Sequence, residues 1–314
     1  MIAPQSAVIS SYACSIVTSL ILIARLFCAR LQPRPFDLSF FVTLFSLVIV
    51  IIRAIVSKYA LHYGTINDYK FVDPTPDVIE HIRIGTILTL TLRILLTTIL
   101  WAMCALLLLL YRRFVSHLPW MKRAISATWI FMGASYLAVV LAIFFECHPL
   151  SKFWQFSPPP GQCTKALVQV SLQCAGNMAI DVVLIALSVP VLFIKGTSSS
   201  QRLKLGTLFS MGVFCIIVNG LRLYYTFVQG SAQPARTFWA SIAIAVSAFV
   251  ANAPVIYGSI RLRKNASRFS ETGSRKRTLT VEKGYELDSF RGGGEDGISR
   301  QVMVTVASGP REIV

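Results

Sequence analysis

Long apolar runs alternate with short polar segments along the first 260 residues of the chain. Seven of these runs are long enough to cross the roughly 30 Å hydrocarbon core of a bilayer as helices. They predict seven transmembrane helices at about 6–28, 38–60, 84–110, 124–145, 166–194, 205–228 and 238–260. The residues before the first run include no basic residue, and no small-residue cleavage site follows it, so we interpret it as a retained span and not as a signal peptide.

The pattern changes sharply after residue 260. The tail holds the basic cluster GSRKR at 273–277 and three glycines at 292–294, with scattered charges between them. Such a segment buries too little apolar surface to offset the entropy of ordering it. We therefore expect a seven-helix transmembrane domain over 1–260 and a disordered, basic tail over 261–314.

Composition supports the membrane interpretation. Hydrophobic residues make up 54% of the chain and charged residues only 14%, with a mean hydropathy of +0.64. A soluble domain carries about 25% charged residues because it must cover its surface with them. The net charge of +16 comes from basic residues beside apolar runs, which favours a bilayer as partner over nucleic acid. The chain is thus expected to be an all-α, multi-pass protein of the plasma membrane or an endomembrane.

The basic residues also predict the orientation. Cytosolic connections of membrane proteins are enriched in Lys and Arg. One alternating set of connections carries 17 of them and the other carries 6. The rich set comprises the links 25–37, 111–123 and 195–204 and the start of the tail, 261–277, which predicts an N-terminus outside and a C-terminus in the cytosol.

Four charged residues fall well inside the predicted spans, away from their ends, where a charge is costly and marks a candidate functional site. They are Arg53, Arg93, Asp181 and Arg222. Helix 5 also repeats polar residues every four positions, which aligns them along one face. The predicted ligand pocket consists of Arg53, Arg93, Gln173, Asn177, Asp181, Asn219 and Arg222.

Two interpretations of this cluster remain open. In the first, Asp181 pairs with an arginine and the amides bridge helices, so the cluster is purely structural. In the second, an anionic ligand, carboxylate or phosphate, balances the net charge of +2 of the three arginines and Asp181, in a cavity that opens outward. Asp181 is also the one deep carboxylate that could act as a general acid, so the sequence leaves open whether the chain is an enzyme.

Cys147 and Cys163 lie in one predicted outer loop. On an oxidising face they are expected to form a disulfide, the alternative being two free thiols near the interface. No Cys or His spacing indicates a metal site, and no metal or other cofactor is expected. Helix 7 has no lysine, so a retinal Schiff base has no amine to form on.

Several motifs resemble those of the fungal rhodopsin-like integral membrane family, also called the satratoxin-cluster membrane-protein family. The resemblance spans about residues 10–263. It rests on Cys147-His-Pro-Leu-Ser-Lys-Phe-Trp154 followed by Pro160-Gly-Gln-Cys163, on Asn177 to Pro190, on Arg222-Leu-Tyr-Tyr225 and on Arg25 to Asp37. The chain departs from the family pattern in having one acidic residue, Asp37, at the end of the first inner loop and no glutamate on helix 7.

The resemblance implies a fungal protein of receptor-like layout, and many members are encoded in secondary-metabolite gene clusters. It therefore implies an accessory role in such biosynthesis, in which the pocket binds, moves or transforms an apolar metabolite that bears an anionic group. Enzymes encoded in the same gene cluster are then candidate partners. An orphan receptor and a membrane-embedded cyclase or isomerase are the alternatives. The sequence identifies no ligand, substrate or oligomeric state.

Overall fold

The structure is a computed structural model that describes residues 4–30, 37–64, 76–115, 119–153, 162–193, 199–228 and 232–260. Residues 1–261 form one compact unit. The predicted disordered tail 261–314 lies outside the described residues, as do Trp154 and the three prolines 158–160 of the loop after helix 4. The predicted orientation of the termini stays a prediction.

Among the described residues, seven helices are long and apolar enough to cross a membrane, which confirms the predicted number. They are α1 (Pro4–Arg30), α2 (Leu38–Tyr63), α3 (Pro76–Val115), α4 (Pro119–Phe145), α5 (Leu167–Phe193), α6 (Ser199–Val228) and α7 (Gln233–Ile260). Two short 3₁₀ turns, Leu150–Phe153 and Gln162–Lys165, lie between α4 and α5 and contact each other. We call the side of the bundle that holds these turns the Glu146 end.

Six of the seven helices extend beyond the apolar runs that predicted them, whereas α5 (Leu167–Phe193) is one residue shorter at each end than the predicted 166–194. The largest difference is in α3, which has 40 residues where the pattern predicted a helix over 84–110. At 1.5 Å per residue it is about 60 Å long, twice the hydrocarbon thickness. Arg83 and Arg112, assigned to links by the pattern, are therefore helical. Hydropathy marks only the part of a helix that contacts lipid tails, whereas backbone hydrogen bonding continues into the interface.

Arg25 is a second difference. The pattern placed it in the first link, but it lies in α1 and is only 4% exposed. Its guanidinium donates to the carbonyl of Ala251 at 3.0 Å and to Asn252 Oδ1 at 2.9 Å, both on α7. A fifth buried charge thus joins the first helix to the last.

The third helix is the centre of the bundle. In its most apolar stretch 72% of the residues are buried, against 22–44% in the other six helices. Large apolar side chains such as Ile9, Ile130 and Phe145 are instead more than 60% exposed on the periphery. Apolar side chains on the periphery are the arrangement that lipid requires, because lipid tails offer polar groups no hydrogen-bond partner.

A close backbone contact joins the end of α2 to α3. Gly64 ends α2 with a φ of 68°, which suits glycine because it has no Cβ. A Cβ built on Gly85 of α3 would lie 1.9 Å from the carbonyl oxygen of Gly64. Both glycines are therefore needed for α2 and α3 to approach at the Glu146 end.

Candidate functional site

A cavity of about 40 Å³ lies among five helices toward the Glu146 end of the bundle. Its lining is mostly polar, although it is enclosed by transmembrane helices. Arginine is the dominant residue type in the lining, which includes Arg53 of α2, Arg93 of α3, Arg222 of α6 and Arg236 of α7. We call the first three of these, together with the space they enclose, the arginine cavity.

The three arginines are almost completely buried, with exposed fractions of 4% for Arg53, 7% for Arg93 and 4% for Arg222. Among the described residues, none of the three forms an ion pair with a carboxylate within 4 Å. Within the part of the chain that the structure describes, four of their nitrogens lack a hydrogen-bond partner: Arg53 Nε, Arg93 Nε, Arg93 Nη1 and Arg222 Nη1. Buried unpaired guanidinium groups are costly, so these donors favour an anionic partner in the cavity.

A chain of side-chain hydrogen bonds holds one wall of the cavity. Gln173 of α5 is fully buried and accepts from Arg222 Nη2 at 2.8 Å and from Gln169 Nε2 at 3.2 Å. Its own amide donates to Thr97 Oγ1 of α3 at 3.0 Å, and Thr97 donates to the carbonyl of Arg93 at 2.8 Å. The buried glutamines of α5 therefore orient the Arg222 guanidinium and link α5 to α3 and α6.

The opposite wall comes from α2 and α7. Arg53 Nη2 donates to Ser241 Oγ at 3.2 Å, and Ser241 donates to the carbonyl of Thr237 one turn earlier. The charges of Arg53 and Arg222 are close enough to repel each other. Two like charges held in one buried site are stable only when other groups or a counter-ion compensate them.

The loop after α4 reaches the site at the Glu146 end. Phe153 of the first 3₁₀ turn is 2% exposed, and its ring lies 5.6 Å from the guanidinium carbon of Arg93. Glu146 accepts from the backbone N–H groups of Val168 and Gln169 at 2.8 and 3.2 Å, which caps the start of α5. Its charge also acts on Arg93 without forming an ion pair, so it offsets only part of the positive charge.

Asp181 lies outside this lining. It is 4% exposed and lies close enough to the thiols of Cys104 of α3 and Cys215 of α6 to act on them electrostatically. Among the described residues it forms no ion pair with an arginine within 4 Å. The structural interpretation that pairs Asp181 with an arginine is therefore not the arrangement observed.

Asn177 and Asn219 belong to the same deeper region. Asn177 donates to the carbonyl of Gln173 and accepts a weak hydrogen bond from Cys104, and Asn219 donates to the carbonyl of Cys215. Of the seven predicted pocket residues, four line the arginine cavity and three do not. The four are Arg53, Arg93, Gln173 and Arg222; the three are Asn177, Asp181 and Asn219.

The structure adds residues that sequence reasoning did not select for the pocket. The additions that matter for its chemistry are Thr89, Gln233, Arg236 and Thr237. Thr89 lies four residues before Arg93 on α3, and that helical spacing was the signal available in the sequence. The α7 residues precede the predicted start of that helix, so hydropathy assigned Gln233 and Arg236 to a link.

Cys147 directly follows the turn after α4 and is 1% exposed, and Cys163 lies in the second 3₁₀ turn. Five other cysteines are free thiols: Cys14, Cys28, Cys104, Cys174 and Cys215. Because the two 3₁₀ turns contact each other, the geometry of the loop is compatible with the expected bridge. The Cys147–Cys163 disulfide stays a prediction.

A larger groove of about 460 Å³ lies between α1 and α2. Its lining is mainly apolar and exposed to the surroundings of the bundle, with Ile16 and Ile55 59% and 55% exposed. Lys58 is the one charged side chain in it. Converging polar groups distinguish a specific site from a lipid-facing groove, so the arginine cavity is the stronger candidate.

Comparison with known families gives one match. The family model described as the fungal rhodopsin domain matches residues 20–262. Neither the curated proteins nor the solved structures include a match to the chain. The matched range contains α2 to α7 and most of α1, and therefore every residue of the arginine cavity.

Proposed function

We propose, from the premise that this chain belongs to the fungal rhodopsin domain family, that it is a membrane protein of secondary-metabolite biosynthesis that recognises an anionic metabolite. One observation carries the recognition part of the proposal. Three arginines, each at least 93% buried, line one cavity without an ion pair among the described residues. The biosynthetic role is supported by the resemblance of the loop and helix motifs to cluster-encoded members of the family.

The size of the cavity limits what it holds. A volume of about 40 Å³ is far below the roughly 300–1,000 Å³ of sites that enclose a drug-sized molecule. We propose that only the anionic group of the metabolite occupies the arginine cavity. Its apolar body then extends toward the Glu146 end, where Gln233 and Arg236 complete the lining.

Arginine suits this role better than lysine. Its planar fork presents several N–H donors to a carboxylate or phosphate, and it keeps its charge when buried. The hydrogen bonds to Gln173 and Ser241 fix the orientation of two of the three guanidinium groups. Such preorganisation lowers the entropy cost of binding. Asp181 does not line the cavity, so the proposal assigns it no catalytic step.

Deleting the gene and profiling metabolites tests the biosynthetic role. The deleted strain is complemented with the wild-type protein, with Arg93→Gln and with the matched control Arg83→Gln, whose side chain is 54% exposed on the same helix. We expect metabolite output to fall on deletion, to return with the wild type and the control, and to stay low with Arg93→Gln at equal protein levels. An unchanged profile on deletion under producing conditions overturns the proposal, and normal output with loss of a G-protein-dependent response would indicate a receptor instead.

The recognition part is tested separately on purified protein. A metabolite from the producing strain that carries a carboxylate or phosphate is expected to raise the unfolding temperature, whereas its methyl ester is not. Equal effects of the acid and the ester would show that the arginines do not recognise the charge.

We further propose that Cys147 and Cys163 form a disulfide that holds the loop over the site. Burial of Cys147 and contact between the two 3₁₀ turns support this pairing. Mass spectrometry of unreduced peptides is expected to recover the two cysteines as one linked species. Alkylation of both thiols in unreduced protein would show that the bridge is absent.

A further inference from the structure

We infer that the arginine cavity holds a small inorganic anion of the chloride type when no metabolite is bound. The inference concerns the site of the proposed function and rests on its anion-binding part alone, not on the biosynthetic role. It follows from the hydrogen-bond donors of the cavity lining, from the charge balance and from the size of the cavity.

The donors that line the cavity come from four side chains and point to an acceptor-only ligand. Arg53 and Arg222 each have one unpartnered nitrogen and Arg93 has two. These arginines are on α2, α6 and α3, so the donors reach the cavity from different sides of the bundle. A monoatomic anion accepts hydrogen bonds from any direction, whereas a planar carboxylate satisfies donors mainly in its own plane.

Thr89 of α3 supplies one further hydrogen-bond donor, in addition to those of the three arginines. The other four threonines of this helix donate to the carbonyl four residues earlier, and they are Thr86, Thr91, Thr97 and Thr98. Thr89 is 4% exposed and lines the cavity, but its hydroxyl has no hydrogen-bond partner among the described residues. Thr89 does not form the local hydrogen bond to a backbone carbonyl that helical threonines usually form, so its hydroxyl is available to a ligand.

The charge balance also requires an anion. Three of the lining residues are buried arginines without an ion pair among the described residues, and the described lining includes no carboxylate. Glu146 acts on Arg93 from outside the lining and accepts from the N–H groups of Val168 and Gln169. Moving several uncompensated charges from water into a low-dielectric interior is prohibitive, so one negative charge among the guanidinium groups stabilises the fold whether or not a metabolite is present.

The volume of the cavity limits which anions fit in it. A cavity of about 40 Å³ accepts a monoatomic anion with a water molecule beside it, since a water needs about 10–15 Å³. Gln169 Oε1 in the lining is an acceptor without a partner among the described residues, and that water would donate a hydrogen bond to it. A bulky organic anion such as gluconate does not fit. The same reasoning makes the anion a competitor of the metabolite's charged group.

Thermal unfolding of the full-length protein in detergent tests this inference. Chloride, bromide or gluconate is titrated as the sodium salt at constant ionic strength. We expect chloride and bromide to raise the unfolding temperature with a saturable dependence, while gluconate has no such effect. Equal effects of all three salts would overturn the inference.

Two variants locate the site. Thr89→Val keeps the shape of the side chain and removes one donor, so the apparent Kd for chloride is expected to rise about tenfold, as for a lost hydrogen bond to a charged group. Thr91→Val, on the exposed face of the same helix, is the matched control and should leave the Kd unchanged. An unchanged Kd in Thr89→Val places the chloride effect elsewhere and overturns the assignment. If the metabolite but not chloride stabilises the protein, the proposed function stands and this inference fails.

Discussion

Arg222 of α6 donates a hydrogen bond of 2.8 Å to the side-chain oxygen of Gln173 of α5, and both residues are buried. The same amide group donates to Thr97 of α3. One glutamine thus accepts from a buried cation and links three helices. Its position explains how the bundle tolerates an arginine whose nearest polar neighbours are amides instead of carboxylates.

Replacing Gln173 with leucine should destabilise the protein. Leucine fills a similar volume but leaves Arg222 and Thr97 without this partner, at a cost of about 1–3 kcal/mol. The free energy of unfolding in detergent, measured by denaturant titration, checks this. Leu172→Met, at the neighbouring position that is 43% exposed, serves as the control and should change it little. A Gln173→Leu variant as stable as the wild type would contradict the role given to the amide.

Arg25 and Asn252 should be energetically coupled. Arg25 donates to Asn252 Oδ1 at 2.9 Å and joins α1 to α7. In a double-mutant cycle with Arg25→Met and Asn252→Leu, we expect a coupling of about 0.5–2 kcal/mol, the range of hydrogen bonds between transmembrane helices. Unfolding measured for the four proteins of the cycle gives the value. Strictly additive effects would mean that the two side chains do not stabilise each other.

Gly85 should not tolerate a side chain. A Cβ there would lie 1.9 Å from the Gly64 carbonyl oxygen, and backbone cannot move aside as a flexible side chain can. Gly85→Ala is therefore expected to cost at least about 1–3 kcal/mol, as overpacking does.

The matched control for this substitution is Gly133→Ala in α4, where the added Cβ meets nothing within 4 Å. Alanine there should stabilise the helix by up to about 1 kcal/mol because of its higher helix propensity. Thermal unfolding of the two variants should thus shift in opposite directions. A shift of the same sign and size would refute the close contact between α2 and α3.

Removing the charge of Glu146 should loosen the start of α5. Its carboxylate accepts from the N–H groups of Val168 and Gln169, and a negative charge at a helix N-terminus is favourable. Glu146→Gln is expected to cost about 0.5–2 kcal/mol. Glu80→Gln is the control, since the Glu80–Arg83 pair is exposed and such pairs contribute little. Hydrogen exchange of the first turn of α5 should increase in the first variant and not in the second.

The sequence alone determined the number of spans and the positions that carry charge within them. An apolar run of this length is suited to lipid, so length and hydropathy were sufficient for the number of spans. The four-residue spacing on α5 also predicted that Gln173 would face other helices, and its exposed fraction of 0% agrees. These are local properties, and the local sequence encodes them.

Only the tertiary structure decided which polar residues meet. Arg53, Arg93 and Arg222 line one cavity, while Asp181, on the same helix as Gln173 but two turns further along, has Cys104 and Cys215 as neighbours. Arg25 was assigned to a link because it ends an apolar run, yet packing against α7 buries it. Helical spacing specifies the face on which a side chain lies, but the axial offset and rotation of seven packed helices determine its partners, and these depend on all the helices together.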